Sequence, residues 1–459
     1  MGRMFVLFLL FAETCVAARQ TNESIVFPYQ ELHVHGSTLV ELPNGDLLSA
    51  WFQGSGERWA DDVAIMGARL KKGETNWSAP FTMADVPGFP DINPMLFMDS
   101  RGKLWLMWYT VLANQWGSSL PKYRISSDFE GEGAPVWEWQ EVLHVKPGDK
   151  TERGIQPDDK FVKGINQQFD EYEKYLEEVL FPENPGLKER YVSEWPEFRK
   201  MVDGLAKGEN YIRSGRIEKE GESIEAKLGY PVSRRMGWQT KNKPFILNGE
   251  RLIVPLYSDR MECTLFAITD DWGGNWQFSN PVIGGIGIQA AIAIKEDGVL
   301  VAYLRDNGPP PQRIQYTESI DNGLSWSIAR DTELPNPGAG FDMVTLKNGD
   351  WLLVYNHTEE GRHNLTAALS CDEGKTWKWR KHLENDLRGE EATRSHYPAV
   401  IEGEDGMVHV VYSFHRKDRT AGNTIKWVSF PIDGLKNDIH LKGRTWDDVK
   451  KTVLESNRL

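Results

Sequence analysis

The chain has 459 residues, with 67 acidic against 53 basic side chains and a formal net charge of −14. An aromatic fraction of 11% is too high for a chain that cannot bury a core, so disorder is excluded. The acidic balance speaks against a nucleic-acid partner, because phosphate contacts need a basic face. The length allows one large all-β domain or two to three ordinary ones, and the 18 Trp and 42 Gly residues ask for an explanation.

At the N-terminus, Arg3, the apolar run Phe5–Ala12 and the small residues up to Ala18 have the form of a secretory signal over residues 1–18. The expectation is a secreted or periplasmic mature protein over residues 19–459. No later stretch approaches the ~18 consecutive apolar residues of a membrane span. The mature chain would keep Cys263 and Cys371, enough for one disulfide but for no disulfide framework and no metal cluster. Glycosylation sequons occur at Asn22, Asn76, Asn356 and Asn364.

One phrase then recurs: a turn containing Gly, followed by alternating apolar residues that end in an aromatic. Its copies lie at 41–52, 99–109, 246–257, 294–304, 346–356 and 401–413, with turn glycines Gly45, Gly102, Gly249, Gly298, Gly349 and Gly406. Asn-Gly and Asp-Gly between alternating apolar runs predict β-hairpins, since both turn residues tolerate positive φ. Successive glycines are 57, 147, 49, 51 and 57 residues apart. Hairpins repeating about every fifty residues predict an all-β fold, a six-bladed β-propeller with one four-stranded sheet per blade.

A second phrase, S/T-x-D-x-G-x-x-W, keeps the same period in Thr269–Trp276, Ser319–Trp326 and Ser370–Trp377, and a worn copy ends at Trp77. In each, Asp can bond backbone N–H groups, Gly permits the bend and Trp plugs the hydrophobic layer. Asp271, Asp321 and Asp372 therefore read as turn residues. The gap of 147 holds a helical insertion at about 158–230, between blades two and three. Its Phe161, Phe169, Tyr172, Tyr175, Leu176 and Val179 recur at helical spacing. A seventh, eroded blade in the same gap is the alternative.

Three in-register Asp-box turns on a six-bladed propeller resemble the sialidase superfamily, in its Asp-box (BNR) repeat, exo-alpha-sialidase-like branch. The resemblance covers residues 30–430 apart from the insertion. It implies arginines that clamp a substrate carboxylate, a Tyr nucleophile assisted by a Glu, and an Asp acid/base. Bidentate guanidinium groups suit a carboxylate, and a Tyr nucleophile is a known exception among glycosidases. By this resemblance Arg305 and Arg362 look like the second and third arginines, Tyr397 the nucleophile, and Asp61 or, as preferred, Asp62 the acid/base. Two positions depart from the pattern. His35 stands where the first arginine is expected, and Gln289 where the Glu is expected. The clamp is then one permanent charge short, and the nucleophile lacks its carboxylate.

Further candidates come from the residues themselves. Arg235, Trp238 and Lys243 follow the insertion as a basic stretch beside a Trp, suited to an anionic sugar ring. Asn93 and Asn356 are strand-end polar residues able to bond hydroxyls. The ten histidines show no metal-binding spacing, no G-x-S-x-G serine-hydrolase motif is present, and nothing calls for a cofactor. The leading expectation is an exo-glycosidase acting on glycans with a terminal acidic sugar, with catalytic Asp62, Tyr397 and His35. Its rivals are a uronate-polysaccharide lyase using His35 as base and Tyr397 as acid, and a non-catalytic carbohydrate-binding propeller.

Overall fold

Each of the six Gly-containing phrases folds as the tight turn between the first two strands of a four-stranded antiparallel sheet. All six turn glycines have φ between 72° and 89°, a region that L side chains adopt only with strain. The computed structural model describes residues 20–152, 154–208, 229–416 and 422–436. The expected export signal lies outside the described residues. Among those described, no helix is long and apolar enough to cross a membrane.

The six sheets form a six-bladed β-propeller with the helical insertion between blades two and three. The first strands of the blades are His33–Glu41, Asp91–Met98, Phe245–Leu247, Gly287–Ile294, Asp342–Thr345 and Arg394–Glu402. They face the central axis. Second strands are covered on both faces by neighbouring blades, and Leu104–Val111 is buried along its whole length. Trp51, Trp105, Trp108 and Trp351 fill these seams completely, which accounts for part of the Trp surplus. Blade 6 is completed from the other end of the chain. The strand Asn22–Ile25 pairs antiparallel with Gly422–Pro431, from Asn22 opposite Ser429 to Ile25 opposite Lys426.

The Asp-box turns join third and fourth strands. Asp271, Asp321 and Asp372 accept from the backbone N–H groups of Asn275, Ser325 and Thr376 at 2.7, 2.8 and 2.8 Å. The hydroxyls of Thr269, Ser319 and Ser370 donate to the same carboxylates and accept from the turn glycines. These carboxylates are occupied in holding turns.

The insertion contains helices Lys160–Tyr175 and Pro185–Lys207. Asp159 caps the first by accepting from Phe161 N and Val162 N at 2.9 and 3.2 Å. Its carboxylate also takes a two-pronged bond from Arg234 at 2.7 and 2.8 Å, with both side chains 1% exposed. Phe161, Phe169, Tyr172 and Leu176 are buried, as their spacing predicts. Val179 is not: it is 41% exposed. A single π-helical turn over Leu176–Leu180 rotates it off the apolar face.

One expectation is corrected here, and two possibilities are closed. Trp238 is fully buried and donates to Arg234 O at 3.0 Å, so it packs the core and offers no face to a sugar. The disulfide that the two cysteines allow is not formed; Cys263 is buried and Cys371 exposed, both free. Asn356 and Asn364 are buried, so neither sequon is open to a glycan in the folded chain.

Candidate active site on the propeller axis

The first strands of blades 1, 2, 4 and 6 each carry a β-bulge. The bulged residue has positive φ in every case: Gly36 (65°), Asn93 (47°), Gln289 (55°) and Tyr397 (54°). Each lies nine residues before the turn glycine of its own blade. A bulge re-aims a side chain, and the left-handed backbone costs a non-Gly residue about 1–3 kcal/mol, which the surroundings must offset. Here the bulges turn three polar side chains toward a common centre. The fourth bulge needs Gly, because a Cβ on Gly36 would meet Asn93 Oδ1 at 2.5 Å.

A chain of hydrogen bonds crosses this centre. Asn93 Nδ2 donates to the hydroxyls of Tyr109 and Tyr257 at 3.4 and 3.2 Å. Gln289 Nε2 donates to the hydroxyls of Tyr257 and Tyr397, both at 3.2 Å. Arg305 donates to the Tyr397 hydroxyl at 2.6 Å and to Gln289 Oε1 at 3.3 Å. Flipping the Gln289 amide would set its NH₂ against the guanidinium, so this orientation is the one the network allows. The Tyr397 oxygen therefore accepts from two donors.

Cations surround the Tyr397 ring. Lys241, Arg362 and Arg305 lie 5.4, 5.6 and 5.8 Å from its centroid. The His35 ring sits 4.0 Å away, centroid to centroid, with Nδ1 2.8 Å from Ser413 Oγ. Burial, then the neighbouring His415, His33, Arg362 and Lys241, push His35 well below the ordinary histidine range, so it is neutral near pH 7. Burial likewise pushes Lys241 down to about 8. Its Nζ donates to Asn242 Oδ1 and Pro398 O at 3.1 and 3.3 Å, while Thr240 and Asn242 bond the carbonyls of Asn93 and Gln289. The Thr240–Lys243 segment thus ties blade 3 to the bulges of blades 2, 4 and 6.

His35, Asn93, Gln289, Arg305, Arg362 and Tyr397 come together from five blades. The other sequence candidates do not join them. Arg235 donates to the Thr151 hydroxyl beside the insertion. Lys243 is ion-paired with Asp342, and Asn356 is buried, donating to the carbonyls of Asn364 and Ser395. Each is already committed to joining strands or segments. Asp62 is exposed and held by Ser55, whose amide and hydroxyl bond it at 2.7–3.1 Å. The Ser55 hydroxyl and amide hold its carboxyl below the usual range.

Lys241, from the basic stretch that follows the insertion, does reach the site, whereas Tyr109, Tyr257, His396, His415 and Asp259 were missed from sequence. The Asp259 carboxyl accepts from Gln239 Nε2 at 3.0 Å, and burial pushes it up. His35, His396 and His415 offer ring nitrogens within 4.8 Å of one another, a grouping that could hold a metal ion. The hydrogen bonds oppose that use. Arg362 donates to His396 Nδ1 at 3.1 Å, and His415 Nε2 lies 2.9 Å from Val34 O, so one nitrogen of each ring is already engaged.

The BNR repeat-like domain model matches residues 45–153 and 237–410. The anhydrosialidase of Macrobdella decora is 27% identical over 220 residues, or 41% of this chain, and the chain spans only 27% of that relative's length. A Dyadobacter fermentans protein of unknown function shares the fold with a TM-score of 0.58 at 15% identity, over 89% of this chain and 97% of that one. The leech intramolecular trans-sialidase, solved with 2,7-anhydro-Neu5Ac, does so with a TM-score of 0.57 at 14% identity, over 91% and 71%.

Proposed function

The chain belongs to the BNR repeat-like domain family, and on that footing we propose that it is a sialidase-like glycosidase that removes a terminal acidic sugar from glycans. The observation that carries this reading is the Tyr397 hydroxyl, held at 2.6 Å by Arg305 in a pocket with Arg362 and Lys241. A carboxylate entering beside Tyr397 meets Arg305 and Arg362, two groups suited to paired bonds with it. Tyr397 passes its phenolic proton to water, and its oxygen attacks the anomeric carbon as the bond to the leaving oxygen breaks. Water then releases the sugar from the tyrosine, with overall retention. The leaving oxygen needs a proton. Asp62, held low by Ser55, is ill suited to give one. Asp259, whose carboxyl burial raises, is the second acidic candidate for that proton.

The test is hydrolysis of a fluorogenic sialoside by wild type and Tyr397→Phe. We expect wild type to turn the substrate over and the variant to lose about 10³-fold or more in kcat/KM, with unchanged thermal melting. Full retention of cleavage by the variant would sink the role given to Tyr397. A second reading, lyase action on a uronate glycan, draws on the neutrality of His35, since only an uncharged imidazole can take a proton. Its product is an unsaturated sugar that absorbs in the ultraviolet, which hydrolysis does not produce.

A further inference from the structure

The loop between the second and third strands of blade 1 carries an arginine with no acidic partner at ion-pair distance among the described residues. The Arg58 guanidinium lies over two indoles, 4.2 Å from the Trp59 centroid and 5.0 Å from that of Trp116. Its Nε is buried without a hydrogen-bond partner among the described residues. Neighbouring Glu57 points elsewhere, its carboxylate 3.2 Å from His33 Nε2. Trp59 is itself 59% exposed. A large apolar side chain is thus left in solvent beside a cation that no described residue neutralises at contact distance.

The arrangement borders the axial site. Trp116 stands edge-on to Tyr109 at 6.2 Å, and Tyr109 is a member of the hydrogen-bond chain that ends on Tyr397. The charge of Arg58 is felt at both Glu57 and Asp259. Stacking fixes the plane of a guanidinium and leaves its N–H edges for an oxyanion.

We propose that Arg58, clamped by Trp59 and Trp116, forms a second subsite that takes an anionic group on the sugar next to the one bound at Tyr397. The protein would then select glycans with two acidic groups on adjacent sugars, the second being a carboxylate or a sulfate. This rests on the glycan reading above, but it concerns binding and not chemistry.

The test is calorimetric titration of the full chain in a Tyr397→Phe background, so that no ligand is consumed. The ligands are 3′-sialyllactose, α2,8-linked disialic acid and 3′-sialyllactose bearing a 6-sulfate on galactose. We expect one or both doubly acidic glycans to bind at least tenfold more tightly than 3′-sialyllactose. A gain for the disialic acid identifies a carboxylate subsite, and a gain for the sulfated glycan a sulfate subsite. Arg58→Gln should abolish the preference while changing 3′-sialyllactose affinity less than twofold. Trp59→Ala, an exposed and well-tolerated change, should weaken the preference at least threefold by freeing the guanidinium. No preference in the parent, or an equal loss on all three ligands in Arg58→Gln, overturns the proposal. If no ligand binds at all, both readings fall. If the preference is seen but wild type turns nothing over, only the chemistry proposed above falls.

Discussion

Gly36 is the residue on which the site is most crowded. It takes φ of 65°, and an added Cβ would meet Asn93 Oδ1 at 2.5 Å and the Phe52 ring at 2.8 Å. Gly36→Ala should therefore cost about 2 kcal/mol or more, from backbone strain and from displacing Asn93. A shifted urea midpoint with an unchanged m-value would register it. The same position shows how the site could have been read from sequence. Gly36, Asn93, Gln289 and Tyr397 share one offset from their turn glycines, so a repeat found for its hairpins also marks its bulges. Tyr109 and Tyr257 are not so marked. They sit in second strands among buried aromatics of the same appearance; the Tyr109 hydroxyl meets Asn93 of its own blade, and only the neighbouring blades decide that Tyr257 meets Asn93 and Gln289.

Among the elements, the helical insertion depends on one buried pair. Burial alone would raise the Asp159 carboxyl, but the two-pronged Arg234 contact and the Asp149 amide hold it at about 2. A carboxyl depressed in the folded state contributes stability above its unfolded value near 3.8, and that stability is lost as pH falls through about 2. Asp159→Asn removes the charge at every pH and leaves Arg234 buried without its counterion. The expected cost is about 3–5 kcal/mol, the range for breaking a buried pair. Hydrogen exchange in Lys160–Tyr175 should accelerate more than in the blades. Exchange that rises equally everywhere would show that the pair supports the whole ring and not the insertion. Helical spacing revealed this insertion in the sequence, yet the adjoining basic stretch misled. Arg234 and Trp238 share a composition with sugar-binding clusters, and their burial follows only from where the helices dock.

At the scale of the whole molecule, the ring is closed by the strand Asn22–Ile25 on Gly422–Pro431. Removing residues 20–25 leaves Gly422–Pro431 as an open edge in the blade that carries Tyr397. Such an edge pairs readily with other chains. The truncated protein should melt on the order of 5–10 °C lower and show concentration-dependent association in sedimentation. An unchanged melting temperature would mean that this strand is not needed for closure. The charge is also unevenly placed. A chain of net charge −14 gathers Lys241, Arg305 and Arg362 around one tyrosine ring, which favours anionic ligands at that point.

By itself the sequence determined the blade count, the hairpin turns, the Asp-box turns and the place of the insertion. These are local: turn chemistry and alternating apolar residues act within a few positions, so a repeat exposes them. The closing strand, the Asp159–Arg234 pair and the partners of Tyr397 were decided by tertiary structure. They join residues far apart in the chain, and Arg305 alone reaches 92 positions to Tyr397. No local pattern records such a contact, because it exists only once six blades have closed around an axis.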